Sequence, residues 1–324
     1  PFERLLTEIS TIFINLPADQ IGNEIVAAQK RICEVLDLDR SALLLTAQDD
    51  PGMLLLTHVY QPPGSPPPPD RLNARDFYPW TAQKILSGET VAISKMTELP
   101  AEACRDRDGF DRYNTKSAVY VPLSVGKDPV FGVLGFVVTR GERDWPKRVV
   151  QQFQLVAQIF ANALARERTE LELVKSEKRL RMITNALPVL ISYVGADLRY
   201  RFNNDAYRVW FGVSPQEALG RTMREVTGEG FFQSVRPYIE RALLGERVQC
   251  ALDVEMPGGR PLSVEAIYVP DLGEPVGVRG FYVLVIDVTE RNLAQQEAKR
   301  LQDELFHAGR VSAAGEHGDG PGRG

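Results

Sequence analysis

Three cysteines and three histidines carry the sequence's main metal-binding and nucleophilic chemistry, and their spacing excludes most of it. Cys33, Cys104 and Cys250 form no Cys-x-x-Cys clip, and His58, His307 and His317 form no His-x-x-x-His pair. Neighbours in sequence therefore build neither a zinc knuckle nor a helical metal site. An odd, scattered cysteine count fits a reducing compartment rather than a disulfide framework. No Gly-rich nucleotide loop and no Mg²⁺ carboxylate set occurs. No catalytic residue and no metal site is expected, and the chain by itself is predicted to be inactive. Cys33, on an apolar helix face, is read as a small core side chain. His58, in a strand pattern, is read as a structural imidazole in preference to a haem ligand.

The elements that must position any site follow from periodicity. The chain has 324 residues, 44% of them hydrophobic, with 38 Lys+Arg against 43 Asp+Glu and a net charge of −5. That length suits two domains, and so mild a charge argues against nucleic-acid binding. No apolar run reaches the roughly 18–20 residues of a membrane span. The strongest, Phe281 to Ile286, has the length of a buried strand, and the expected location is cytoplasmic. Apolar residues at spacings of three and four predict helices over 2–14 and 22–36. Strands are predicted over 40–46, 53–60, 89–94, 118–125 and 130–138, with a helix over 80–86 between them. Six prolines between Gln61 and Asp70 predict a polyproline-like surface loop. Hairpins imply antiparallel pairing, so the fold class is α+β.

Lys116-Ser-Ala-Val-Tyr-Val-Pro-Leu123, then Phe131-Gly-Val-Leu-Gly-Phe136, Arg143 and Trp145, resemble the end of a GAF domain. The likeness extends over residues 2–165, including Leu36-Asp-Leu-Asp-Arg-Ser41 and Leu99-Pro-Ala-Glu102. The resemblance implies a ligand-binding fold, since GAF domains take cyclic nucleotides, bilins or haem, or have no known ligand. The Asn-Lys-Phe-Asp-Glu signature of cyclic-nucleotide binders is missing, and Cys104 lacks the nearby histidine expected of a bilin attachment site.

No Pro or Gly interrupts residues 147–187, which predicts one helix with a coiled-coil-like seam, broken at Glu167 and Lys178. Strands follow over 188–194 and 198–203, a short helix over 204–212, and a helix start at Ser214-Pro-Gln-Glu217. A helix over about 230–244 precedes three strands at 248–256, 262–269 and 278–286. Asp197-Leu-Arg-Tyr-Arg-Phe-Asn-Asn204, Tyr207-Arg-Val-Trp-Phe-Gly212 with Leu219-Gly220, and Asp287-Val-Thr-Glu-Arg291 resemble a PAS domain over 177–289. That resemblance implies that Asp287 and Thr289 couple the last strand to an output helix. Residues 177–289 hold no histidine and no flavin-adduct cysteine helix, so PAS haem and a flavin adduct are disfavoured. No cofactor is predicted, although an unknown small ligand is allowed. Tyr193, Phe202, Trp210 and Phe281 are the candidate lining of an apolar pocket.

Beyond Glu290, residues Ala294, Ala298, Leu301, Leu305, Ala308 and Ser312 step by fours and threes as a heptad seam. Leu305-Phe-His-Ala-Gly-Arg-Val-Ser-Ala-Ala-Gly-Glu316 resembles the start of the dimerisation helix of sensor histidine kinases. The next eight residues contain four glycines and a proline, which cannot continue a helix. Neither His307 nor His317 therefore fits the phosphoacceptor, and the chain reads as truncated before its kinase core. A one-base shift after Glu316 is one origin that a choice of codons permits. The predicted organisation is GAF-like 1–165, connector 166–176, PAS-like 177–289, signalling helix 290–316 and a non-native or disordered tail 317–324. The expected role is the sensory input of a two-component histidine kinase, homodimeric through helices 147–187 and 291–312. The intact parent would use ATP and a response regulator. The alternative is a GAF/PAS ligand- or chromophore-binding module for another output, a nucleotide cyclase or a transcription regulator.

Overall fold

The structure, a computed structural model, describes residues 2–47, 50, 52–63, 71–256, 259–273 and 277–315, with side chains as far as Leu305 in the last helix. Most of the polyproline loop, the tip of the predicted hairpin at 257–258, the side chain of His307, and Glu316 to the end with His317 lie outside the described residues. The chain divides into two units, Pro1–Lys175 and Ser176–Gly324. Both are α+β with antiparallel sheets.

In the first unit, α1 (Phe2–Asn15) and α2 (Ile21–Leu36) form where apolar residues recur every third or fourth position. They bury Phe2, Leu5, Ile9 and Phe13, and Ile21, Ile25, Ala28 and Ile32. Asp37 ends α2 in the left-handed region at φ 53°, where Leu38 N–H donates to the Cys33 carbonyl at 2.8 Å. The chain continues through β1 (Arg40–Thr46), β2 (Met53–Tyr60), β3 (Arg71–Asn73), α3 (Ala74–Phe77), α4 (Pro79–Leu86), β4 (Val91–Ile93), α5 (Cys104–Arg112), β5 (Ser117–Leu123), β6 (Gly132–Val138) and α6 (Lys147–Ala186). The sheet order is β3-β2-β1-β6-β5-β4, and every neighbouring pair is antiparallel.

Side chains alternate across this sheet, so its two faces differ. Leu43, Val119, Val121, Leu134 and Phe136 pack against α1, α2 and the first turns of α6. Phe136 stacks on Phe153 of α6 with ring centroids 4.2 Å apart, and truncating a ring so buried costs about 3–5 kcal/mol. The other face carries Val133 with Ile85, Val91, Ile93, Leu99 and Phe110, a smaller cluster beneath α4 and α5.

The second unit runs β7 (Val189–Gly195), β8 (Tyr200–Asn203), α7 (Ala206–Phe211), α8 (Pro215–Ala218), α9 (Met223–Thr227), α10 (Glu229–Leu243), β9 (Val248–Glu255), β10 (Pro261–Gly273), β11 (Gly277–Asp287) and α11 (Thr289–Gly315). Its sheet order is β8-β7-β11-β10-β9. Leu190, Val194, Val264, Ala266, Tyr268, Phe281, Val283 and Val285 form the inner face under α7–α10. Ser214 and Glu217 close a reciprocal capping box on α8, and Thr222 and Glu225 close a second on α9. Gly212, at φ 69°, stops α7 in a conformation few other residues adopt.

Candidate functional site: an apolar cavity and two domain joints

The face of the first sheet turned away from α1, α2 and α6 forms one wall of a partly open cavity of about 130 Å³. Its floor is the alternate set of strand residues: Ala42 and Leu44 on β1, Leu54 and Leu56 on β2, Tyr120 on β5 and Val133 on β6. Thr81, Ala82 and Ile85 of α4 and Phe110 of α5 close it from above. Small residues on the floor make the room. A side chain on Gly135 would bring its Cβ within 2.9 Å of the Tyr120 ring. The lining is predominantly apolar with a few polar groups, as small-molecule sites commonly are.

Asp106 fixes the roof. Its carboxylate is buried, accepting from Thr81 N–H at 2.8 Å and from Trp80 N–H at 3.2 Å. It caps α4 from another helix, where Tyr78 at the N-cap offers no side-chain acceptor. The polar side chains in the lining are Arg40, Thr46, Arg75, Tyr78, Thr81, Tyr113 and Tyr120. The Tyr120 hydroxyl is pushed up to about 12 by burial, opposed by Arg40 and aided by Asp106. Burial likewise raises Tyr78. The Thr81 hydroxyl, on a residue 7% exposed, has no hydrogen-bond partner. Both phenols are neutral donors at physiological pH.

The other titratable side chains of this unit sit elsewhere. Cys33 is buried, and burial, with Asp39 and Glu34 adding, pushes its thiol up to about 12. It is an inert core residue. The His58 ring lies against Gly22 of α2 and receives a 2.9 Å contact from Thr57 Oγ1; burial lowers its pKa. It is not among the residues lining the cavity. Cys104 is exposed at the start of α5. No cluster of three or more His, Cys, Asp or Glu suited to a metal ion occurs among the described residues, and no helix of theirs is long and apolar enough to cross a membrane.

The four aromatic residues considered for the second unit lie on two faces of its sheet. Phe281 is fully buried on the inner face, with its centroid 6.1 Å from that of Tyr268, and Trp210 packs at the edge of the same core. Tyr193 stands opposite both Phe202 and Tyr282 in the strand register, so these three share the outer face. The Tyr193 and Tyr282 rings are 4.7 Å apart, and the Tyr193 hydroxyl donates to Asp271 at 2.8 Å. The geometry brings Phe281 and Trp210 to one core and Tyr193 and Phe202 to the opposite surface.

Asp287 and Thr289 form the joint at the last strand. Asp287 Oδ1 accepts from Thr289 N–H at 2.9 Å, and Thr289 Oγ1 accepts from Ser263 N–H of β10 at 3.0 Å. Val288 N–H donates to the Ser263 carbonyl, and Arg291 pairs with Glu265. The first turn of α11 is thereby tied to β10. Sequence reasoning missed the matching joint at the other end. Asn204 is 1% exposed, and its amide donates to Thr184 O and Val189 O while accepting from Ile191 N–H. Asn185 and Asp205 exchange two further hydrogen bonds. The adjacent Asn-Asn pair was the available signal, because a buried amide demands several partners.

Comparison with known proteins agrees with these topologies. The family model for the GAF domain matches residues 27–164, and the model for the PAS fold matches residues 184–293. Uncharacterized protein y4lL of Sinorhizobium fredii is 28% identical over 150 residues, 44% of this chain, and the match spans 17% of that protein's length. A phycocyanobilin-bound GAF domain from a cyanobacterial phytochrome shares 17% identity with a TM-score of 0.44, covering 52% of this chain and 97% of its own. Free methionine-R-sulfoxide reductase from Neisseria meningitidis shares 15% identity with a TM-score of 0.41, covering 52% and 91%. The PAS domain of a Colwellia psychrerythraea protein shares 16% identity with a TM-score of 0.30, covering 35% and 97%. The chain thus carries a GAF domain followed by a PAS domain.

Proposed function

We propose that this chain is a sensory input region in which the GAF cavity binds a small molecule. The PAS domain, jointed at both ends to long helices, passes the resulting change onward. The observation that carries this reading is the largely apolar cavity of about 130 Å³ with its unsatisfied Thr81 hydroxyl, because a buried polar group without a partner is costly unless something binds there. Mass spectrometry of the natively purified chain tests it. A small molecule released on denaturation, and lost in Ala42→Trp, is expected. A wild-type chain that releases nothing, and gains no thermal stability from a metabolite panel, would overturn it.

The output we favour is a sensor histidine kinase working with ATP and a response regulator in the whole protein. Gly309-Arg-Val-Ser-Ala-Ala-Gly-Glu316 supports it through its likeness to the kinase dimerisation helix. Reading the gene beyond codon 316 in every frame tests this choice; finding neither a His-Glu pair nor an ATP-binding domain refutes it. We further propose that the functional form is a homodimer through helices 147–187 and 291–312. Leu173, Leu180, Ile183 and Leu187 follow one another at steps of seven, three and four residues with 46–59% of their surface exposed, and Leu293, Leu301 and Leu305 on α11, eight and four residues apart, are 50–74% exposed. Such rows favour burial against a second copy.

A further inference from the structure

We propose that the GAF cavity is selective for a small organic carboxylate of one-ring size, with its carboxylate on Arg40 and its apolar body between Leu44, Leu54, Ile85 and Phe110. The inference rests on the reading of this cavity as a ligand site and assigns the chemistry of what fills it.

Size comes first. About 130 Å³ compares with the roughly 150 Å³ apolar cavity that takes up benzene. A single ring or a branched aliphatic body fits that room.

Charge comes second. Arg40 opens β1, is half-buried and lines the cavity. Its guanidinium lies over the Tyr113 ring, 5.9 Å from the centroid, and its charge reaches the phenols of Tyr78 and Tyr120. No carboxylate among the described residues pairs with it. Arginines with structural roles here behave differently. Arg140 holds Asp37 and Asp39, and Arg166 donates to the carbonyls of Phe13, Ile14 and Leu16. Asp106, the carboxylate whose charge reaches the cavity's tyrosines, has both oxygens committed to the Trp80 and Thr81 amides. A guanidinium facing an apolar space presents a planar fork of donors that matches a carboxylate in bidentate geometry.

Polarity within the cavity comes third. Thr81 Oγ1 is the one buried, unpartnered side-chain oxygen among the described lining residues. It accepts from, or donates to, a second polar group on the ligand, and so favours a hydroxylated or oxo-substituted acid over the bare one.

The test is calorimetric titration of the full chain with benzoate, phenylacetate and cyclohexanecarboxylate, against the neutral benzamide and benzyl alcohol. At least one acid is expected to bind ten-fold or more tightly than the neutral ring compounds. Arg40→Gln should erase that difference, Arg40→Lys should keep part of it, and Thr81→Val should weaken a 4-hydroxy acid more than its parent acid. Thermal melts of each variant check folding, and the lysine variant keeps the charge test open should the glutamine variant fail to fold. Acids and neutral compounds binding equally, with Arg40→Gln unchanged, would overturn the carboxylate assignment while leaving the cavity a ligand site. No binding by any of the five compounds also overturns the assignment; the ligand reading is then judged by the released-molecule experiment alone.

Discussion

Asp39 shows how much one side chain can fasten in this chain. It accepts from the Thr139 amide at 2.6 Å, the Thr139 hydroxyl, the Arg140 amide and Arg140 Nε, joining the start of β1 to the end of β6. Burial works to raise its pKa, but these hydrogen bonds together outweigh it and hold the carboxyl below the ordinary aspartate range. A lowered carboxylate stabilises the fold above its unfolded value of about 3.9, and that stability is lost as pH falls through the lowered value. Asp39→Asn is therefore expected to cost about 1.5–3 kcal/mol at neutral pH and close to nothing in acid. Denaturant midpoints measured from pH 7 downward check it; an undiminished effect in acid would disprove the linkage. Little of this was visible in the sequence, because the partners lie about a hundred positions away and nothing local marks Asp39 from Asp37.

Among the elements, legibility followed periodicity. The apolar runs in Arg40–Thr46 and Met53–Tyr60, set around a turn, give both strands with the bounds the structure has. Six of the nine residues of α5 are charged, so no apolar period announces it. Its place comes from Asp106 and Phe110 reaching across to α4 and the sheet. The cavity was hidden for a related reason: its floor residues alternate with core residues on the same strands, and a sequence does not say which face has a void. Thr222-Met-Arg-Glu225 repeats the Ser214 pattern and would have announced α9. The Thr289 joint belongs to this scale. Thr289→Val keeps the shape but leaves the Ser263 amide without its acceptor, with an expected cost of about 1–3 kcal/mol. Limited proteolysis should then cut the first turn of α11 earlier than in the wild type, whereas unchanged cleavage would mean the bond does not hold the helix.

For the whole molecule, two antiparallel domains in tandem were legible from turn signals and motif likeness, and both family matches agree. The proposed dimer makes its own demand on α6 and α11. Leu180→Glu and Leu301→Glu place charge in the two exposed rows; sedimentation equilibrium is expected to show the wild type as a dimer and the double variant as a monomer. A monomeric wild type at tens of micromolar would remove the paired-helix reading. The signal sensed was not legible, because a cavity wall built of Ala, Leu, Ile and Phe resembles any other core until its empty volume is seen.

The Asp106 cap gives the cavity a clock. The amide protons of Trp80 and Thr81 are held by a carboxylate that belongs to another helix, so they exchange with solvent when α4 and α5 part. Their exchange rates count openings of the roof. A ligand that lodges beneath it slows those two protons together, while the amides of the opposite helical layer keep their own time.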